Sequence, residues 1–343
     1  MTERVLPGFL LDSPTPPVDV TAKSCIAAAI ASPPDHSGAV SCIAADWLSK
    51  RAISGSYDRT LRLWDLDTGL SIREFHGHTG SVRCVAVDWA ANRAVSGAGD
   101  RSARLWDLER DEGALLELRG HNGAVECVAL AWESLRALSG SWDGSLAVWD
   151  LETGALLRRL KGHTDLVCSV AADWSELRAV SGGGDRSLRL WRLQDGAQIG
   201  DLRGHSHYVS CVAIDWLAQR VLSGSIDHTL RVWNIQDGQS IQELQGHACP
   251  VSCLLADWQM QRAVSGGHDG HVIVWDLVSG LPQQRLKGCT DSILCVAIDW
   301  ATDRVLYGCV DCSVHLWHLT GSGCQEGLIT QVPNGASKIA SLA

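Results

Sequence analysis

Short apolar runs alternate with tight polar turns along most of the chain. Residues 82–88 are rich in valine, alanine and cysteine, and a turn separates them from a β-branched run at 93–97. A turn with glycine and aspartate leads to a third run at 103–108, and a shorter, more polar segment such as 71–75 completes the pattern. Runs of this length without a helical period predict four short antiparallel strands in each unit.

This unit occurs seven times. Counted from a histidine that usually follows glycine, tryptophan recurs at position 11, arginine at 15, Ser-Gly at 18 and 19, aspartate at 22 and tryptophan at 28. The residues at position zero are His36, His78, His121, His163, His205, His247 and Cys289. One four-stranded sheet cannot bury its own faces, so seven of them predict a closed ring with no exposed terminal sheet.

These motifs resemble those of the WD-repeat (beta-transducin repeat) family. The likeness rests on Gly-His, Ser-Gly-x-x-Asp and a final Trp-Asp, which is kept at Trp64, Trp106, Trp149 and Trp275, and it covers residues 22–319. The resemblance implies an all-β, seven-bladed β-propeller of four-stranded antiparallel blades. We predict a flexible leader at 1–21, the propeller at 22–331, with repeats that begin near 36, 78, 121, 163, 205, 247 and 289, and a flexible tail at 332–343.

The last blade can close in two ways. Residues 23–31 supply its outer strand in the usual family arrangement, which we favour, and residues 324–331 are the alternative.

A histidine, a serine and an aspartate in every unit invite a hydrolase interpretation. Repetition argues against it, since an active site is built once, whereas His78, Ser96, Asp100 and Trp106 have counterparts in five further units. The resemblance implies instead a buried structural network, in which the histidine connects the aspartate, the serine and the indole. We therefore expect no catalytic residue.

The seventh unit differs. Cys289 replaces the histidine and Tyr307 the serine, while Asp311 and Trp317 stay. We expect packing and ring closure to hold this blade, and we expect it to be the softest.

Tryptophan at position 11 and arginine at position 15 are present in all seven units, and aspartate precedes that tryptophan everywhere except at Ala131. Many relatives carry Pro and Gly there. We expect the arginine to stack on the tryptophan across the first hairpin, and a binding ring on the bottom face is the alternative.

Composition narrows the classes of partner. The 343 residues carry a net charge of −10 with no basic run, which disfavours nucleic acid. Of the 13 cysteines, Cys42, Cys84, Cys127, Cys211, Cys253 and Cys295 share one apolar position, which fits a reducing compartment. The first residues do not resemble a signal peptide, and no apolar run reaches the length of a membrane span. We expect a cytoplasmic protein that does not contact a membrane, and a nuclear location is the alternative.

Three clusters have metal-like spacing. They are Cys309 and Cys312 with Cys289 and Cys295, His268 and His271 with Cys249, and His205 with His207. None supplies four obvious ligands, so we expect no metal and no cofactor.

In the family, a docking surface is formed on the top face by the residue before the turn aspartate and by the residues at positions 3 and 5. Carried onto this chain, these positions include Trp142, Tyr57, Arg83, Glu126, Leu166, Tyr208, Ile226 and His268. Aromatic residues and arginine are typical of interface hot spots. Trp142 is the one tryptophan outside the two repeated positions, and packing on a neighbouring loop is the alternative for it.

The sequence thus predicts a non-enzymatic scaffold, monomeric in isolation, that binds a protein or peptide on its top face. A substrate-recruiting adaptor of a ubiquitin ligase is the alternative, weakened by the lack of a Trp-Asp-x-Arg sequence. A propeller enzyme is the third.

Overall fold

The computed structural model describes residues 19–20, 36–110, 113–319 and 326–328. This part of the chain consists of 29 strands and the turns between them. It contains no helix long and apolar enough to cross a membrane.

The strands form seven sheets, called blades one to seven, and the strands of a blade pair in chain order. The strands of blades one to four are β2 (Val40–Asp46), β3 (Arg51–Ser56), β4 (Leu61–Asp65) and β5 (Ser71–Phe75); β6 (Val82–Asp88), β7 (Arg93–Ala98), β8 (Ser102–Asp107) and β9 (Leu116–Arg119); β10 (Val125–Ala131), β11 (Arg136–Ser141), β12 (Ser145–Asp150) and β13 (Leu156–Lys161); β14 (Val167–Asp173), β15 (Arg178–Gly183), β16 (Ser187–Arg192) and β17 (Ala197–Arg203).

The remaining blades have the same order. Their strands are β18 (Val209–Asp215), β19 (Arg220–Ser225), β20 (Thr229–Asn234) and β21 (Ser240–Gln245); β22 (Val251–Asp257), β23 (Arg262–Gly267), β24 (His271–Asp276) and β25 (Pro282–Lys287); β26 (Ile293–Asp299), β27 (Arg304–Cys309), β28 (Val314–His318) and β29 (Glu326–Leu328). Blade six also carries β1 (Asp19–Val20), which pairs in parallel with β25. The predicted fold, an all-β seven-bladed propeller, is confirmed.

The innermost strands contact each other in a closed circle, from β2 through β6, β10, β14, β18, β22 and β26 back to β2. The hydrophobic cores lie between adjacent blades, not within them. One core, for example, joins Ile53 and Leu61 of blade one to Val82 and Trp106 of blade two. Each blade buries its position-28 tryptophan in this way, with at most 2% of the side chain exposed. A single blade therefore has no core of its own.

The Ser-Gly motif is explained by the close approach of neighbouring blades. A Cβ atom at Gly97 would lie 2.5 Å from Cγ1 of Val125 in the next blade and 2.7 Å from Sγ of Cys84 in its own. Only glycine fits between these two side chains.

The C-terminal segment supplies the outer strand of blade seven. Glu326–Leu328 pairs antiparallel with β28. This is the arrangement that we gave as the alternative, and the prediction that we favoured, an outer strand from residues 23–31, is wrong. Residues 23–31 lie outside the described residues. The inner part of the ring closes through a core that joins Val40 and Trp64 of blade one to Leu306 and Val314 of blade seven.

Candidate functional site

Blade two shows the recurring polar network. His78 Nδ1 lies 2.8 Å from Oδ2 of Asp100, and His78 Nε2 lies 2.7 Å from Oγ of Ser96. The indole of Trp106 donates to the same serine oxygen at 2.8 Å. The serine, and not the histidine, is therefore the group that joins imidazole to indole. Blades one, three, four, five and six contain the same set of bonds.

This network makes its serine inaccessible. Ser96 has none of its surface exposed, and its oxygen is already bound to both His78 and Trp106. The aspartate also accepts a hydrogen bond from the backbone N–H of Thr79, which ties the loop that enters the blade to the turn between β7 and β8. The network thus holds a loop on a hairpin.

Asp100 is the charged member of the network. Burial by itself would raise the pKa of its carboxyl, but hydrogen bonds from His78 and Ser102 outweigh burial and hold that pKa well below the usual range. The corresponding aspartates of five other blades, Asp58, Asp143, Asp185, Asp227 and Asp269, also have lowered pKa values.

Blade seven is built differently. Tyr307 is fully buried and stacks on His315, with ring centroids 4.9 Å apart and an interplanar angle of 10°. Ser313 Oγ lies 2.6 Å from Nε2 of His315 and also donates to Asp311. The imidazole of this blade therefore comes from strand β28 and not from the loop that enters the blade. Sequence reasoning missed His315, whose position carries arginine in four of the other blades.

The arginines at position 15 stack across blade junctions. The Cζ atom of Arg51 in blade one lies 5.4 Å from the ring centroid of Trp89 in blade two. Four further pairs follow the same rule: Arg178 with Trp216, Arg220 with Trp258, Arg262 with Trp300, and Arg304 with Trp47. The prediction of stacking across the first hairpin is wrong, because the ring brings the next blade closer to the guanidinium. The Arg304 pair closes the circle.

Two junctions lack this stack in the described part of the chain. They involve Arg93 and Arg136. Arg51 donates to Oδ1 of Asn92 in the next blade at 3.1 Å. At the repeat position of Asn92, the blades that follow Arg93 and Arg136 carry Leu135 and Leu177, which offer no such acceptor. The bottom face is therefore joined unevenly.

The top face opens at a central mouth. In every blade the pairing of the first two strands shifts register at position 5, as between Val125 and Cys127. Such a bulge adds one residue to the strand and changes the direction of its side chain from the regular alternation between the two faces of the sheet. The bulge residues Ser41, Arg83, Glu126, Cys168, Ser210, Ser252 and Leu294 all line one cavity of about 190 Å³, together with Tyr57, Tyr208, Ile226 and His268.

One side of the mouth carries a connected group, called here the Arg83 cluster (Tyr57, Arg83, Glu126 and Trp142). Arg83 Cζ lies 4.6 Å from the ring centroid of Tyr57 and 5.1 Å from that of Trp142. Arg83 also donates to the Tyr57 hydroxyl at 2.9 Å, and the Trp142 indole donates to Oε2 of Glu126 at 2.8 Å. Burial raises the pKa of the Glu126 carboxyl, while Arg83 and the Trp142 indole act in the opposite direction.

The aromatic rings of this cluster remain accessible. Tyr57 is 41% exposed and Trp142 is 48% exposed, whereas the seven repeated tryptophans of the core are almost fully buried. Trp142 does not line the mouth itself but reaches it through Arg83. Leu166 lies outside both the mouth and the cluster.

The metal-like clusters are rearranged by the fold. Among the described residues, one group of potential ligands comes together: Cys289, Cys309 and Asp311, whose ligand atoms lie within 4.8 Å of one another. Cys312 is not part of it, since it occupies a turn with a φ of 73°. His205 belongs to the network of blade five. Three ligands do not complete a structural zinc site.

The cysteines at position 6 lie beside the glycines of Ser-Gly. Their thiols are buried or half-buried, and burial raises the pKa of Cys42 to about 12 and that of Cys253 to about 11. Thiols with such pKa values stay protonated and behave as small apolar side chains.

Comparison with known proteins identifies the repeats. A family model described as "WD domain, G-beta repeat" matches residues 29–65, 69–107, 113–150, 154–192, 196–234, 238–276 and 280–318. Subunit I of eukaryotic translation initiation factor 3 from Rattus norvegicus, Homo sapiens and Bos taurus is 53% identical over 34 residues, which is 10% of this chain and 10% of each relative. The similarity thus spans a tenth of the length of these relatives.

Proposed function

The chain belongs to the WD40-repeat family, and from that premise we propose that it is a non-enzymatic scaffold whose top face binds a protein or a peptide. A WD40 propeller suggests a protein-interaction scaffold, because a rigid ring presents loops of varied sequence at a fixed geometry. We also propose a cytoplasmic location, which the protonated, buried thiols support.

The observation that carries this proposal is the Arg83 cluster. Two exposed aromatic rings hold a guanidinium between them, and the arrangement spans blades one to three. Side chains fixed before binding lose little conformational entropy when a partner docks. Tryptophan, tyrosine and arginine are also the residues that dominate binding free energies.

The opposite side of the mouth has the composition of a second contact region for a partner. Tyr208, Ile226 and His268 line the cavity on the side of blades five and six, together with Ser210 and Ser252. Interfaces combine apolar anchors with a few polar groups in this way. A segment of a partner that enters the mouth would touch both sides.

The test compares Trp142→Ala with Leu217→Ala. Leu217 is fully exposed in the turn between β18 and β19, on the opposite face, and serves as the matched control. Proximity labelling in cells identifies the partners of the wild type, and titration calorimetry then measures the dissociation constant of each purified partner. We expect Trp142→Ala to weaken binding by about 2 kcal/mol, roughly 30-fold, with no change for Leu217→Ala. Unchanged binding of every partner by folded Trp142→Ala protein would refute the top-face proposal.

The short similarity to subunit I of eukaryotic translation initiation factor 3 favours a second candidate function, a subunit of such an assembly. The matched 34 residues are fewer than the 42 that separate His36 from His78, so the similarity is shorter than one repeat. Affinity purification of the tagged chain decides: co-purification of initiation-factor subunits supports this role, and their absence contradicts it.

A further inference from the structure

Repeat positions 0 and 20 lie side by side in blades four, six and seven. In blades four and six position 20 is glycine, and a Cβ atom at Gly183 or Gly267 would lie 2.6 Å from Nδ1 of the histidine at position 0. In blade seven both positions carry cysteine. The Sγ atoms of Cys289 and Cys309 lie 2.7 Å apart.

The two cysteine residues differ in exposure. Cys309 has none of its surface exposed, whereas Cys289 is partly exposed on the loop that enters blade seven. The adjacent Cys289 thiol and burial raise the pKa of Cys309 far above its ordinary value. An oxidant from solution therefore meets Cys289 first, and Cys309 stays protonated beside it.

Other cysteines of this blade point elsewhere. Cys312 lies in the following turn, with its Sγ 3.7 Å from the carbonyl oxygen of Val310. Cys295 is directed toward blade one, with its Sγ 3.6 Å from the carbonyl oxygen of Val40. The fold thus selects one pair from the four cysteines of the described part of blade seven.

The cysteine pair also lies where hydrogen bonds fix the entering loop in the blades that have the polar network. In blade two, Asp100 binds both His78 and the N–H of Thr79, and so fixes the entering loop. In the described part of blade seven, the Asp311 side chain accepts hydrogen bonds from the backbone N–H and the hydroxyl of Ser313, and not from the loop. A bond between Cys289 and Cys309 would fasten this loop at the same point.

We propose that Cys289 and Cys309 form a reversible disulfide when the protein meets a peroxide. The Cys289 thiolate attacks one peroxide oxygen, the O–O bond breaks, and a sulfenic acid and water form. Cys309 sulfur then attacks the sulfenic sulfur, the S–O bond breaks, and a second water carries away the Cys309 proton. Two thiols lose two electrons, hydrogen peroxide gains them, and a dithiol reductant restores the pair by exchange.

The disulfide links two segments that border the top face. Val310 donates its N–H to the carbonyl oxygen of Ser292 at 3.0 Å, and Leu294, two residues further along in β26, lines the central mouth. Oxidation therefore fixes the loop of blade seven next to the mouth.

The test uses the purified full chain, reduced and then treated with hydrogen peroxide in its folded state. Free thiols are alkylated after denaturation, and trypsin releases the fragments that begin at Gly288 and Val305, whose cross-link is located by fragmentation in a mass spectrometer. Wild type, Cys295→Ser and Cys312→Ser should form the Cys289–Cys309 link, and a dithiol should remove it. Cys289→Ser and Cys309→Ser should not form it.

A second measurement keeps the result independent of folding defects. Amide hydrogen exchange at residues 288–292 should slow at least about tenfold on oxidation of the wild type, which corresponds to about 1.4 kcal/mol, and should not change in Cys289→Ser. Free Cys289 and Cys309 after peroxide treatment, or a link to Cys295 or Cys312 instead, would overturn the proposal. Zinc that protects both thiols from alkylation, with no link after oxidation, would overturn it in favour of a metal site.

Discussion

The first three strands of blades two and seven pair in the same register, but the interiors of the two blades differ. In blade two, Trp106 binds Ser96, which binds His78. In blade seven, the indole N–H of Trp317 has no hydrogen-bond partner among the described residues, and Tyr307 meets that tryptophan edge-on at 5.7 Å. The strands nevertheless pair alike, since Gly97 lies opposite Cys84 as Gly308 lies opposite Cys295.

This comparison separates the shape of a blade from its stability. Backbone pairing and packing against the neighbouring blades suffice to place the strands, because blade seven has both and lacks the histidine. The polar network instead decides how firmly the entering loop is held.

Acid should destabilise the protein through the six blades that have the network. Each network aspartate has a folded-state pKa below its ordinary value of 3.8, so the unfolded chain binds more protons. The stabilisation is complete above that value and is lost as the pH falls below it. Urea unfolding at a series of acidic pH values should show this decline, and Asp100→Asn should make it shallower. A free energy of unfolding that does not change with acid would contradict the account.

Tyr307→Ser should be the most damaging single substitution of the comparison. It removes a fully buried ring and should cost about 4 kcal/mol in the free energy of unfolding. Adding Cys289→His rebuilds the network of the other blades and should recover about 1 to 2 kcal/mol relative to the sum of the two single changes. Urea unfolding of the double-mutant cycle measures this coupling. A coupling of zero would show that blade seven cannot accept the network.

His78→Ala should cost about 2 kcal/mol, because it leaves Ser96 and Asp100 with fewer partners in a buried site. Cys289→Ala, at the same repeat position, should cost only about 0.5 kcal/mol. Both values come from urea unfolding under reducing conditions. Equal costs would mean that position 0 acts by packing alone.

Arg304→Ala should cost about 1 kcal/mol, since this arginine stacks on Trp47 and joins blade seven to blade one. Arg93→Ala is the matched control at a junction without the stack, and should change stability by less than about 0.5 kcal/mol. Thermal and urea unfolding compare the two variants. A larger loss for Arg93→Ala would show that the stack does not stabilise the junction.

Amide hydrogen exchange should show the smallest difference. In the reduced protein, the amides of β26 to β28 should exchange somewhat faster than those of the equivalent strands of blade two, because the entering loop of blade seven is less firmly held. Mass spectrometry with peptic peptides measures both blades in one sample. Equal protection would show that packing replaces the network fully.

Much of this molecule could be predicted from the chain alone. The recurring positions indicated seven four-stranded blades, and the resemblance to the WD-repeat family assigned Tyr57, Arg83, Glu126 and Trp142 to the top face. The reason is that each repeat position has one location in a blade. The repeat position of a residue therefore predicts where it lies within its blade.

Only the tertiary structure decided which groups touch across blades. Arg304 stacks on Trp47, 257 positions earlier in the chain, and Arg83 joins the rings of blades one and three. The sequence pattern also paired Cys309 with Cys312, whereas the fold brings Cys309 to Cys289. A repeat pattern describes the inside of one unit, but the distances between units depend on how closed sheets twist and pack.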